Sequence, residues 1–172
     1  MMRPQAKAMH KADGFTLFEL VLVIAIVGIL GSFLLTRLDR AAEFAEMTSM
    51  ETTASTLNEA LLLEFAHHVM AGDREEIPKL LAANPMLLLA QKPANYLGEF
   101  HDPPASSGQT GNWYYDAGTH ELVYLVRRGD YFVPDTAGEK RVRYRVSLLY
   151  DEGQTRTLIG VVLRPLEAYK WF

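Results

Sequence analysis

Polarity is segregated along this chain rather than mixed. From Phe15 to Leu35 every residue is apolar, small or hydroxyl-bearing except Glu19. A helix of that length rises about 31 Å, close to the hydrocarbon thickness of a bilayer. Beyond it Leu38, Ala42, Ala45, then Ala54, Leu57, Leu61, Phe65 and Val69 follow three- and four-residue steps. That spacing predicts an amphipathic stripe on the same helix. Glu43, Glu46, Glu51, Asn58 and Glu59 lie largely elsewhere on the wheel. No proline interrupts Phe15 to Ile77, and Gly72 is placed to end the helix in a left-handed cap. One helix from about Phe15 to Ala71 is therefore expected, apolar in its first half and one-sided in its second.

The pattern then loosens. Asp73 with Glu76 resembles an aspartate capping box opening a short helix through Leu81. Asn84-Pro85 starts another short helical piece, Met86 to Gln91, whose apolar run Met86 to Leu89 is expected to be buried against the long helix. Residues Lys92 to Gly111, with Pro93, Pro103, Pro104, Ser106, Ser107, Gly108 and Gly111, read as a surface loop. After it the period changes to two. Trp113 to Asp116 and Glu121 to Arg127 flank a glycine-containing turn, predicting a hairpin. Val142, Tyr144, Val146 and Leu148 alternate with Arg141, Arg143, Arg145 and Ser147, a half-buried strand. Asp151 to Gln154 turns it back into Thr157 to Leu163, apolar nearly throughout and so expected to be central or covered on both faces. Tyr169 to Phe172 is expected to tuck its rings against the sheet. The fold class is α+β: a long N-terminal helix on an antiparallel sheet. The expected divisions are 1–14 as a leader, 15–35 as a membrane helix, 36–71 as its amphipathic continuation, 72–112 as a connector and 113–172 as the sheet.

Composition narrows the function classes. The 172 residues suit one domain plus an appendage. A net charge of −4 offers no basic surface for nucleic acid. With no cysteine there is no disulfide, thiolate metal site or cysteine nucleophile.

The apolar segment admits three readings. Arg3, Lys7 and Lys11 against Asp13 precede it, favouring a cytoplasmic N-terminus and an external C-terminal domain. A secretory signal needs small residues before a cut beyond the apolar core, and Ile26, Ile29 and Leu30 fit that poorly. A plain anchor fits length and flanks but leaves Glu19 without a purpose, although a carboxylate at a membrane helix costs up to about 3 kcal/mol. The run Gly14-Phe15-Thr16-Leu17-Phe18-Glu19-Leu20, continuing apolar through Leu30, resembles the processing and assembly signal of type IV prepilins and type II secretion pseudopilins. The pattern is a glycine, an apolar residue, Thr-Leu, a glutamate fifth after the glycine, then an unbroken apolar helix.

That resemblance implies cleavage by a prepilin peptidase between Gly14 and Phe15, N-methylation of Phe15, and pairing of Glu19 with a neighbouring subunit's amino terminus during filament assembly. It also implies an inner-membrane precursor with its domain in the periplasm. The implied partners are other pilin or pseudopilin subunits, the peptidase, the inner-membrane assembly platform and lipid. The sequence departs from the family pattern at Asp13, where many leaders are basic or neutral, and in lacking a helix proline near Thr36. Absence of a disulfide-closed loop and of an evident calcium loop leans towards a minor pilin or minor pseudopilin.

Other chemistry is sparse. His67 and His68 diverge by about 100° on a helix, so a solvated face is expected rather than a metal site. Asp130, Asp135, Asp151 and Glu152 show no fixed spacing of calcium ligands. Arg141, Arg143 and Arg145 are expected to form edge protection or a solvated face. No Gly-x-Ser-x-Gly elbow supports a catalytic triad. No cofactor and no enzyme activity are expected. Two classes remain: a polymerising structural subunit, or a membrane-tethered binding or sensor module that keeps a pilin-like anchor without polymerising.

Overall fold

The computed structural model describes residues 15–101, 109–134, 138, 140–151 and 157–172. Residues 1–14, expected to be a leader, the prolines at 103 and 104, Asp135 and most of the expected Asp151 to Gln154 turn lie outside the described residues. The chain divides into two compact units, Met1–Arg40 and Ala41–Phe172. One helix, α1, runs Leu17–Ala71. Its part in the first unit exposes its apolar side chains all round, from Phe18 through Leu35. A helix apolar on every side requires an apolar surrounding, and this one is long and apolar enough to cross a membrane.

The second unit is α+β, the pilin-like arrangement expected. The helical residues from Ala41 onward pack their Met50, Ala54, Leu57 and Leu61 face on the sheet residues Trp113, Tyr115, Leu122, Tyr124, Val142, Tyr144, Val146, Val161 and Leu163. The helix ends at Gly72, whose φ of 81° supplies the left-handed cap, with Asp73 N donating to His68 O. Seven strands follow: β1 Tyr96–Phe100, β2 Asn112–Asp116, β3 Glu121–Leu125, β4 Phe132–Pro134, β5 Arg141–Tyr150, β6 Leu158–Pro165 and β7 Tyr169–Trp171. The main sheet has the order β1-β2-β3-β5-β6, and β4 pairs with β7 alone. The β2–β3 hairpin turns at residues 117–120, where His120 adopts a φ of 56°.

Several expectations are corrected. Residues 96–100, read as loop, form a strand, and it pairs with β2 in parallel, so the sheet is not wholly antiparallel. The apolar β6 sits at an edge, not the centre, with Ile159 exposed. Conversely β5 lies between β3 and β6, so its arginines protect no edge. The closing aromatics pack on the core as expected, and Tyr169–Trp171 also forms strand β7. The first short helix is a 3₁₀ turn, Ile77–Leu81, whose N-cap is Glu76 with no side-chain capping bond, so no Asp73 box forms. The second, Pro85–Leu88, is also 3₁₀ and stops before Gln91, capped by Asn84 Oδ1 accepting from Met86 N at 3.1 Å. Of its apolar run Met86 is buried and Leu87 is exposed.

The helix stripe is corrected as well. Ala45 faces solvent, and the buried positions near it are Glu43 and Met50. A carboxylate occupies the core-facing row where apolar periodicity places an alanine.

Candidate functional site

Of the segment that resembles a processing signal, Phe15 is the first described residue, and it is exposed. Thr16 stands just before α1 and Glu19 lies three residues on. Glu19 N donates to Thr16 Oγ1 at 3.2 Å, and Thr16 N donates back to Glu19 Oε2 at 2.9 Å. Thr16 Oγ1 also donates to the same carboxylate oxygen at 2.9 Å. The two side chains thus satisfy each other's backbone amides, a reciprocal capping box at a helix start. Leu20 N closes the first turn on Thr16 O at 3.2 Å. The pattern Thr-x-x-Glu ahead of an apolar run was the available signal for this role of Thr16, and the assembly reading of Glu19 passes over it. Both bonds that the Glu19 carboxylate accepts fall on Oε2. Gly28 and Gly31, farther along, have open space where a Cβ would stand.

In the domain, three polar residues of α1 fasten the sheet and its loops. Glu43, 2% exposed, accepts from Tyr131 N and Trp171 Nε1, each at 2.9 Å, and from Asp130 N at 3.3 Å. Glu46, one turn on, accepts from Arg127 N at 2.6 Å, Arg128 N at 2.9 Å and Tyr124 Oη at 3.1 Å. Burial pushes the Tyr124 hydroxyl well above the usual phenol range, and the adjacent Glu46 charge adds to it. Asn58 accepts from Leu163 N at 2.7 Å and donates to Leu163 O at 3.3 Å, so one amide side chain pairs with both backbone groups of an edge-strand residue. All three lie among the polar positions that periodicity places off the apolar stripe. Periodicity could not find them, because their partners, backbone and side-chain groups alike, are distant in sequence.

On the sheet, Glu121 is buried and bridges Arg145 at 2.6 Å and Arg143 at 3.5 Å. Arg143 also pairs with Glu167, whose carboxyl is held below its usual range by that hydrogen bond. These arginines form an ionic face, and Arg143 and Arg145 spend their charge within it. His67 is exposed, while His68 is half-buried with Nε2 3.3 Å from Glu64. Among the described residues no three His, Asp or Glu side chains converge to hold a metal ion.

Comparison with known proteins agrees with the first of these two regions. The family model for the prokaryotic N-terminal methylation motif matches residues 9–35. No curated protein and no solved structure matches the chain.

Proposed function

We propose that this chain, which carries a type IV prepilin-like N-terminal signal, is a structural subunit of a type IV pilus or a type II secretion pseudopilus. The observation that carries the proposal is the methylation motif over residues 9–35, laid on a helix that is apolar all round. A membrane peptidase cleaves Gly14–Phe15 on the cytoplasmic side and methylates the new Phe15 amine. Glycine before the bond suits an extended peptidase cleft because it lacks a Cβ, and the apolar helix remains in the membrane after the cut.

Glu19 then serves twice. In the single chain its Oε2 is held by Thr16. In a filament Oε1 accepts from a neighbouring Phe15 amine, which stays cationic after methylation. In a low-dielectric helix bundle that pairing relieves an otherwise costly carboxylate and sets the axial register. The assembly platform of the inner membrane and the surrounding lipid complete the partners. Lack of cysteine excludes a disulfide-closed loop and inclines the reading towards a minor subunit.

Mass spectrometry of filaments sheared from native cells tests this. The expected result is a methylated Phe15 terminus at low stoichiometry. High stoichiometry makes the chain a major subunit, and processed protein confined to the envelope points to a periplasmic pseudopilus. Chains that all retain Met1 to Gly14 overturn the filament reading in favour of a tethered module.

A further inference from the structure

Arg37 stands just beyond the apolar run of the first unit. It is exposed, as are Leu30, Phe33 and Leu34 on the turns before it. Its guanidinium carbon lies 5.1 Å from the centre of the Phe33 ring. Side chains on a helix lean towards its N-terminus. Arg37 accordingly reaches back over the apolar run rather than on towards the polar turn that follows. The ring covers one face of the guanidinium plane and leaves the N–H fork at its edge.

No carboxylate answers that fork. The residues three and four positions from Arg37 are Phe33, Leu34, Arg40 and Ala41, so its helical neighbours include no acid and one further cation. Asp39, two positions on, falls on another side of the helix. Among the described residues Arg37 has neither a hydrogen bond nor an ion pair. The hydroxyls nearby are already spent within the helix. Ser32 Oγ donates to Ile29 O at 2.8 Å and Thr36 Oγ1 to Ser32 O at 3.2 Å.

A cation turned back over a membrane-spanning run is costly unless an anion meets it there. The apolar layer of a bilayer ends in phosphodiesters, and a planar guanidinium fork takes phosphate oxygens in pairs. Length places Arg37 at that boundary. From Glu19, held by Thr16 at the helix start, to Arg37 the helix rises about 27 Å, against a hydrocarbon thickness of about 30 Å. We infer that Arg37, stacked on Phe33, takes the phosphate of a membrane phospholipid and so holds this end of the apolar segment at headgroup depth. The inference rests on the reading of Phe15–Leu35 as a membrane anchor, and both residues of the site belong to the first unit.

The test uses the full chain in liposomes of phosphatidylcholine and phosphatidylglycerol in phosphate-free buffer, so that lipid holds the only phosphorus. With arginine labelled by carbon-13 at Cζ, subtracting the spectrum of Arg37→Lys from that of the unsubstituted chain isolates the Arg37 signal. Dipolar dephasing of that signal by lipid phosphorus is expected, and Phe33→Leu is expected to reduce it about twofold or more. The chain has no cysteine, so Leu22→Cys carries a single fluorophore in a parallel preparation. No dephasing of Arg37, with the label at 22 quenched by acyl-chain nitroxide lipid, overturns the phosphate site and leaves the anchor standing. A label at 22 that escapes acyl-chain quenching overturns both. Dephasing that survives Phe33→Leu undiminished overturns the ring-held site and leaves Arg37 an ordinary interfacial charge.

Discussion

Single residues decide how the helix starts and how the domain closes. Thr16 and Glu19 cap α1 reciprocally, so removing the hydroxyl takes away the acceptor of Glu19 N and one of two donors to its carboxylate, and frays the first turn. Thr16→Ala is expected to cost about 1 kcal/mol of local helix stability. It should leave cleavage intact, as read by hydrogen exchange at Leu17–Leu20 and by the N-terminal peptide mass. Glu19→Gln is expected to be processed normally but to enter filaments poorly, and normal incorporation in sheared material would refute the assembly role. In the domain, Glu43 takes three N–H donors at a buried position. Alanine there strands all three, so Glu43→Ala is expected to lose about 3 kcal/mol. Glutamine keeps one acceptor oxygen and should lose less. Urea unfolding followed by tryptophan fluorescence distinguishes them, and equal losses would show that charge, not the count of acceptors, dominates.

At the level of elements, α1 and β6 show two ways in which a helix secures a sheet. Leu57 is fully buried against the sheet. Leu57→Ala is therefore expected to cost about 2–5 kcal/mol, according to how far the site collapses. Asn58, the next residue, instead pairs with the backbone of Leu163 on an edge strand. It closes part of an edge that could otherwise accept another strand. Asn58→Ala is expected to cost less, about 1–2 kcal/mol, but to raise the tendency to aggregate, measured by light scattering during refolding. Loss of stability without added scattering would assign Asn58 to stability alone. The hairpin, the alternating β5 and the Gly72 stop were legible because each rests on a local period or a backbone conformation that few residues adopt. Strand β1 was not legible: Pro93 and the prolines after residue 102 bracket it as loop, and its parallel partner lies beyond that segment.

For the whole molecule, the core is unusually rich in tyrosine, and that shapes its response to alkali. Burial pushes Tyr115 up to about 12 and raises Tyr124 and Tyr144 as well. A phenol whose folded pKa exceeds its unfolded value of about 10 contributes stability below pH 10. That contribution is lost as pH rises through the folded value. Stability is thus expected to fall between about pH 10 and 12, with phenolate absorbance appearing together with loss of the fold. Phenolate from these tyrosines appearing before unfolding would show that they reach solvent in the native state.

The sequence by itself determined the apolar segment, the extent of α1, the strand periods and the methylation motif over residues 9–35, because these depend on local composition and spacing. Glu19 lies within that motif. Only the tertiary structure decided that Glu43, Glu46 and Asn58 turn inward, that β6 is an edge and that β1 runs parallel to β2. The physical reason is shared. A polar side chain on a helix faces solvent or core according to whether unpaired backbone groups await it there, and those groups arrive from residues up to 105 positions away. Strand order, likewise, is settled by which elements bury the same apolar face, a property of the assembled core that no local window contains.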